Sequence, residues 1–207
     1  MAHQKRFLLS EKGIPTQWYN IQADMPNKPL APLNPATHET MGVDDLAKIF
    51  SKECSKQELD TEHAWIDIPE EVLDMYKYYR STPLVRAYAL EKALDTPAHI
   101  YFKNESVNPL GSHKVNSAIP QCYYCKKEGV TNVTTETGAG QWGAALSYAA
   151  KVYGLEAAVY QVKISMQQKP YRSLIMRTFG AMVEGSPSMS TRAGKDIVTR
   201  DPTHPGS

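Results

Sequence analysis

At 207 residues, with 42% hydrophobic and 22% charged, the chain has the composition of a folded globular protein and not of a disordered tail. Its 23 basic and 22 acidic residues leave a net charge of +1, without the concentrated basic face that nucleic-acid binding requires. No apolar run approaches the roughly 20 residues that cross a bilayer. The start, Met1-Ala2-His3-Gln4-Lys5-Arg6, lacks the apolar segment of a signal peptide. The expectation is a cytoplasmic protein whose partners include neither nucleic acid nor membrane.

Residues 1 to about 62 are rich in turn formers, with Pro15, Pro26, Pro29, Pro32 and Pro35 recurring without helical or strand periodicity. Such a segment wraps over a neighbouring surface more readily than it folds alone. A short apolar element runs from Val43 to Phe50, and Pro69 opens a clearer helix, since proline suits a first helical turn. From Ser81 the pattern changes. Ser81-Thr-Pro-Leu84 is extended or a turn, Leu90 to Leu94 a short helix, His99 to Lys103 a strand, and Asn108 to His113 a loop. Lys114 to Lys127 reads as a helix closed by Gly129, with Pro120 expected to kink it or break its start. Val130 to Thr135 is strand-like, Thr137 to Gly140 a glycine turn, and Gln141 to Tyr153 an Ala-rich helix stopped by Gly154. Ala157 to Val162 is a buried strand, Lys169 to Phe179 a helix closed by Gly180, and Ala181 to Glu184 a further strand. This alternation between residues 98 and 185 predicts an α/β fold with a mostly parallel sheet. It divides the chain into an N-terminal extension with its first helix, 1–80, and a unit over 81–207. The loop-like ending through Ser207 reads as an interruption, with more chain expected beyond it.

Cys122-Tyr-Tyr-Cys125 has the CxxC spacing of redox and zinc sites. One such pair with no second CxxC or paired histidine does not complete four ligands, so no metal is expected. Within a helix the two residues merely share a face, and buried free thiols are the reading.

Two constellations could carry chemistry. Gly111-Ser-His-Lys-Val-Asn116 places a glycine turn, a possible Ser112 N-cap and Lys114 at a helix start. A lysine there faces the partial positive charge of the helix end, which favours the neutral amine that imine chemistry with an aldehyde cofactor needs. The free amides, with His113, favour an anion such as phosphate. The same residues also suit a solvated loop lysine. In the second, Thr134-Thr-Glu-Thr-Gly-Ala-Gly-Gln-Trp-Gly143, Glu136 falls at the carboxyl end of a strand, where ligands of parallel sheets gather. The amides of Gly138, Ala139 and Gly140 could hold a carboxylate. The alternative is an ordinary strand-to-helix turn with a surface acid. It is neither a P-loop nor a dinucleotide fingerprint.

Ser81-Thr-Pro-Leu84, Gly111-Ser-His-Lys114 with Asn116, and Glu136-Thr-Gly-Ala-Gly-Gln141 occur in the order and rough spacing of the tryptophan synthase beta chains, which this sequence resembles over nearly its whole length. Gln17-Trp-Tyr-Asn20, Trp65-Ile-Asp-Ile-Pro69, Gly154 to Tyr160, Gln168 to Arg172 and Phe179-Gly-Ala181 extend the likeness, and the long N-terminus resembles the second type of beta chain. The resemblance implies the type II fold of pyridoxal-phosphate (PLP) enzymes, two lobes with parallel sheets, here incomplete. It implies a lyase condensing L-serine with indole to L-tryptophan. Lys114 would carry the cofactor and His113 lie against its phosphate. Glu136 would serve the leaving hydroxyl and then the attacking indole. Thr137, Gly138, Ala139, Gly140, Gln141 and Trp142 would hold the substrate carboxylate, with Gln141 also near the cofactor's phenolic oxygen. Trp142 stands where the commoner beta-chain type has histidine. The resemblance further implies a homodimer and an alpha-chain partner. It places the phosphate cup and the group facing the pyridine nitrogen in a second half, absent from this sequence, so the 207 residues alone would be inactive. Another β-elimination or replacement enzyme, such as a serine deaminase, and a non-catalytic half-protein are the competing readings.

Overall fold

The computed structural model describes residues 4–206. Met1 to His3 and Ser207, on which the expectations about the two ends of the chain partly rest, lie outside the described residues. The elements begin with β1 (Arg6–Phe7), β2 (Gln17–Tyr19), α1 (Val43–Leu46), α2 (Lys52–Leu59), β3 (Trp65–Asp67) and α3 (Glu70–Lys77). Then follow β4 (Leu84–Arg86), α4 (Tyr88–Ala93), β5 (Tyr101–Lys103), α5 (Val115–Lys127) and β6 (Asn132–Thr137). The chain continues through α6 (Gln141–Tyr153), β7 (Glu156–Val162), α7 (Lys163–Gln168), α8 (Pro170–Thr178), β8 (Met182–Ser186) and α9 (Arg192–Arg200). Two compact units result, one of residues 4–18 and 67–113, the other of 19–66 and 114–206. Each takes residues from both sides of position 80, and the division falls within β2 and β3.

In the first unit β1, β4 and β5 form an antiparallel sheet, with Phe7 opposite Leu84 and Arg86 opposite Tyr101. The strand expected over residues 99–103 therefore belongs to an antiparallel sheet and not to the parallel alternation that follows it. A charged fork explains the choice. Glu91 of α4 receives Arg86 Nε at 2.9 Å and Nη2 at 3.2 Å, and its Oε1 also accepts the Ile100 amide at 2.7 Å. One bidentate carboxylate thus ties β4, α4 and the start of β5 together.

The second unit carries a parallel sheet in the order β6-β7-β8. Its register sets Thr135 against Val159 and Glu136 against Tyr160, and Val159 in turn against Val183. The α-helices α5, α6 and α8 each end in the same way. Gly129, Gly154 and Gly180 take φ of +81°, +67° and +88°, and the residue after each donates its amide five residues back, Val130 to Cys125, Leu155 to Ala150 and Ala181 to Met176. These left-handed caps turn the chain sharply from helix into strand. They also explain why β6 starts at Asn132 and not at Val130: the amide of Val130 is already spent on the helix end.

Two further differences from the sequence reading have physical causes. Pro120 lies inside α5 without breaking it, because it is the sixth helical residue and the one bond it removes is to Asn116, in the first turn. The helices α7 and α9 are additions to the elements expected from the sequence. α9 is capped by Thr191, whose Oγ1 accepts the Gly194 amide at 3.0 Å, a signal present in the sequence as a lone Thr ahead of an alternating charged segment.

The core of this unit is Ala144, Val159, Met176, Ala181 and Val183, with Ala157 and Met166 against it. α6 is buried on nearly every side, from Gly143 to Ser147 and at Ala149 and Ala150. Only small residues allow that. A Cβ on Gly143 would stand 2.7 Å from Met176 Sδ, 2.7 Å from Val159 Cγ1 and 2.8 Å from Thr137 Cγ2. Gly143→Ala should therefore lower unfolding free energy by about 1–3 kcal/mol through overpacking, against a helix-propensity gain of about 1 kcal/mol. A denaturant midpoint equal to or above that of the wild type would show that the core can give way at this contact.

Candidate active site

The four-residue link from α5 to β6 puts the end of α5 beside the start of the strand, and the 13-residue helix runs back along it. α6 leaves the far end of β6 after three residues and packs against α5. The starts of both helices therefore meet at the carboxyl edge of the parallel sheet. That edge is where ligands of open α/β sheets bind. Lys114 precedes α5 and the segment from Glu136 to Trp142 leads into α6, the two helices that pack together.

Lys114 is the residue before α5, in helical conformation, and its carbonyl accepts the Ala118 amide at 3.0 Å and Ser117 Oγ at 3.1 Å. The N-cap position of α5 is taken by Lys114 and not by Ser112. Ser112 is buried, and Asn108 in the same unit holds it: Asn108 Nδ2 donates to the Ser112 carbonyl at 2.8 Å, and Oδ1 accepts the Leu110 and Ser112 amides at 3.0 and 3.3 Å. Asn108 is thus the staple of the loop 108–113, with Gly111 at φ +61° supplying its turn. His113 itself is exposed.

Glu136 is exposed near the end of β6, and Thr137, the strand's last residue, is buried with Oγ1 accepting the Gly143 amide at 3.2 Å. Gly138 and Ala139 are exposed, and an added Cβ at Gly138 would meet nothing within 4 Å. Gly140 is the opposite. Its φ is +88°, and a Cβ there would stand 2.8 Å from Arg172 Cβ and 3.1 Å from Gln161 Nε2. The turn is open in front and closed behind. Gly140 itself brings no side chain to the start of α6 and the first turn carries no acid; Thr137 Oγ1 takes the Gly143 amide, and the open turn ahead of it suits an external anion. Gln141 and Trp142 are half-buried, and the Trp142 indole N–H donates to Thr135 Oγ1 at 2.9 Å, fixing the ring against the strand. Sequence reading gives no role to Asn108 and does not single out Gln161; the signal for the second is a lone amide in an otherwise apolar strand.

Beyond Trp142 lies a cavity of about 340 Å³ whose walls include Phe50, Leu146 and all three cysteines, Cys54, Cys122 and Cys125. The thiols are free, and the CxxC pair sits on one face of α5. Burial pushes the Cys122 thiol up to about 12 and raises Cys54 and Cys125 as well.

Three comparisons bear on this arrangement. Residues 75–202 match the family model of pyridoxal-phosphate dependent enzymes, and the chain belongs to that family. It is 50% identical over 201 residues to the tryptophan synthase beta chain of Pyrococcus horikoshii, covering 97% of this chain and 44% of that protein. Tryptophan synthase beta chain 2 of Thermotoga maritima is 51% identical over 199 residues, covering 96% and 47%, and that of Pyrococcus furiosus 50% over 203, covering 98% and 45%. The chain thus spans a little under half the length of these curated relatives. A crystal structure of a PLP-dependent aspartate racemase shares the fold, with a TM-score of 0.50 at 21% identity over 65% of this chain and 42% of that one. The α/β architecture and the PLP-enzyme family expected from the sequence are both present. The residues at the sheet edge suit that cofactor: a primary amine at a helix start, and a glycine turn open in front at Gly138.

The cysteines give the prediction. A thiol raised above its ordinary 9.0 keeps its proton in the fold, so Cys122 contributes stability that is present below about pH 9 and lost as pH rises towards 12. Native Cys122 should resist alkylation at pH 8 until the chain unfolds, and the fall in stability between pH 9 and 12 should be shallower in Cys122→Ala. Rapid native labelling of Cys122, read by mass spectrometry, would contradict this burial.

Proposed function

We propose that the chain provides the lysine-bearing half of a PLP-dependent lyase that joins L-serine to indole, giving L-tryptophan and water. The observation that carries the reading is the acid Glu136 two residues before an open glycine turn at the start of α6, the helix that packs on α5, which follows Lys114. The 47–51% identity to proteins named tryptophan synthase beta chains supports the specific reaction.

PLP, when bound, supplies the electron sink for chemistry at an amino acid's α-carbon. Lys114 would hold it through its amine, with His113 and Gln141 as the other residues of this chain that would bind it. The main-chain amides from Thr137 to Trp142 hold the serine carboxylate at the positive end of α6. Glu136 gives a proton to the departing serine hydroxyl as the C–O bond breaks. It then takes up the proton that indole sheds as the new C–C bond forms, so that acid and base alternate on one carboxylate. The phosphate cup and the group facing the pyridine nitrogen come from a part of the enzyme outside this sequence, and a homodimer with an alpha-chain partner belongs to the same proposal. No helix among the described residues is long and apolar enough to cross a membrane. A cytoplasmic location is in keeping with the reading.

Two substitutions in the full-length enzyme test it. Lys114→Ala should abolish the visible absorbance of lysine-bound PLP together with turnover, while the far-ultraviolet spectrum of the fold persists; retained absorbance would move the attachment to another lysine. Glu136→Gln should leave serine binding intact and lower tryptophan formation by about 10²-fold or more. Equal losses in binding and turnover would make Glu136 a structural residue.

A further inference from the structure

Gln161 is fully buried near the carboxyl end of β7, opposite Thr137 on one side and Gly185 on the other. It shares a face of the strand with Val159, within the apolar core beneath α6 and α8. Ser173 Oγ of α8 donates to Gln161 Oε1 at 2.9 Å, and the amide nitrogen lies on the other side, away from Ser173. That nitrogen faces the turn before α6, 3.1 Å from where a Gly140 Cβ would stand, and it has no hydrogen-bond partner. A buried donor left unpaired is costly, and folded chains keep very few of them. A methionine or leucine would fill the same volume without that cost.

The unpaired donor has a direction. Its positive end points at the back of a turn whose front is open, at the start of a 13-residue helix whose N-cap residue, Gly140, has no side chain. Helix dipole and amide dipole therefore add at one spot, in surroundings of low polarity where fixed dipoles act strongly. Gly140 is the residue that allows the close approach, since any side chain would strike the amide and the stem of Arg172.

We propose that Gln161 is a positioning residue for the substrate carboxylate: held by Ser173, its amide backs the Gly140 turn and strengthens that turn's preference for an anionic carboxylate over a neutral group. The carboxylate does not touch Gln161; the effect reaches it through the turn and through the field. This inference rests on the reading of the turn as a carboxylate site. It goes further in naming what sets the site's charge selectivity.

The test uses full-length, PLP-loaded enzyme and calorimetric binding of two ligands, L-serine and its neutral analogue L-serinamide. Gln161→Met keeps the volume and removes the dipole. It should weaken L-serine binding about tenfold and change L-serinamide binding less than twofold. Its denaturant midpoint should equal or exceed that of the wild type, because an unpaired buried donor is gone. Ser173→Ala, which only frees the amide to rotate, should weaken L-serine binding about threefold and leave L-serinamide unchanged; it carries the test alone if Gln161→Met does not fold. Unchanged L-serine binding, or equal losses for the two ligands with a lowered midpoint, would overturn the role of Gln161 while leaving the turn as a carboxylate site. A wild-type enzyme that binds L-serinamide as tightly as L-serine would overturn the carboxylate reading itself, and this inference with it.

Discussion

The approach of α6 to the parallel sheet at Gly143 is the constraint on which the second unit depends. The absence of a side chain there lets the helix settle against Val159 and Thr137 of the sheet and against Met176 of α8 at once. The alanines that follow extend the contact, so the helix is covered on almost every side. Its N-terminus is thereby fixed relative to the strand end, and Thr137 Oγ1, bonded to the Gly143 amide, pins the first turn. The turn of residues 138–140 has to close a short gap between two immovable ends. Gly138 and Ala139 of this turn are exposed at the sheet edge.

The same economy of contacts holds the loop 108–113 of the first unit, where Asn108 satisfies three main-chain groups with one side chain. In the second unit α5 follows Lys114 and continues despite its proline. Because the bond lost at Pro120 belongs to the first turn, the helix remains one piece and its packing on α6 is continuous. A proline two turns later would have broken the ladder in its middle and loosened the face that sets the position of Lys114. Rigid elements thus support both ends of the candidate chemistry, as pre-organised sites require.

The thiol-lined cavity and the buried amide illustrate two uses of polarity in one core. The cysteines are taken up as small apolar residues, and burial holds their protons on. Gln161 is kept polar at a position where its strand neighbour on the same face is Val159. Its amide nitrogen has no hydrogen-bond partner and lies behind the Gly140 turn, which packing by itself does not explain.

Much of this was legible in the residues themselves. Gly129, Gly154 and Gly180, each followed by an apolar residue, announce three helix ends; Glu136 before Gly138 and Gly140 announces a strand-to-helix turn; and the order of these motifs with Lys114 identifies the family. Local rules govern such features, since left-handed caps and glycine turns are decided within five or six residues. What only the tertiary structure decided involved partners far apart in the chain. The strand at residues 101–103 pairs antiparallel with β4 because Arg86 and Glu91 fasten it there, and no periodicity within the strand encodes that. Ser112 is buried beside Asn108 and not placed as a helix cap. Gln161 acquires its meaning only once α8 brings Ser173 to one end of the amide and the sheet register brings Gly140 to the other. The residues determine which dipoles and side chains are available; their direction in space is set by the packing that carries them.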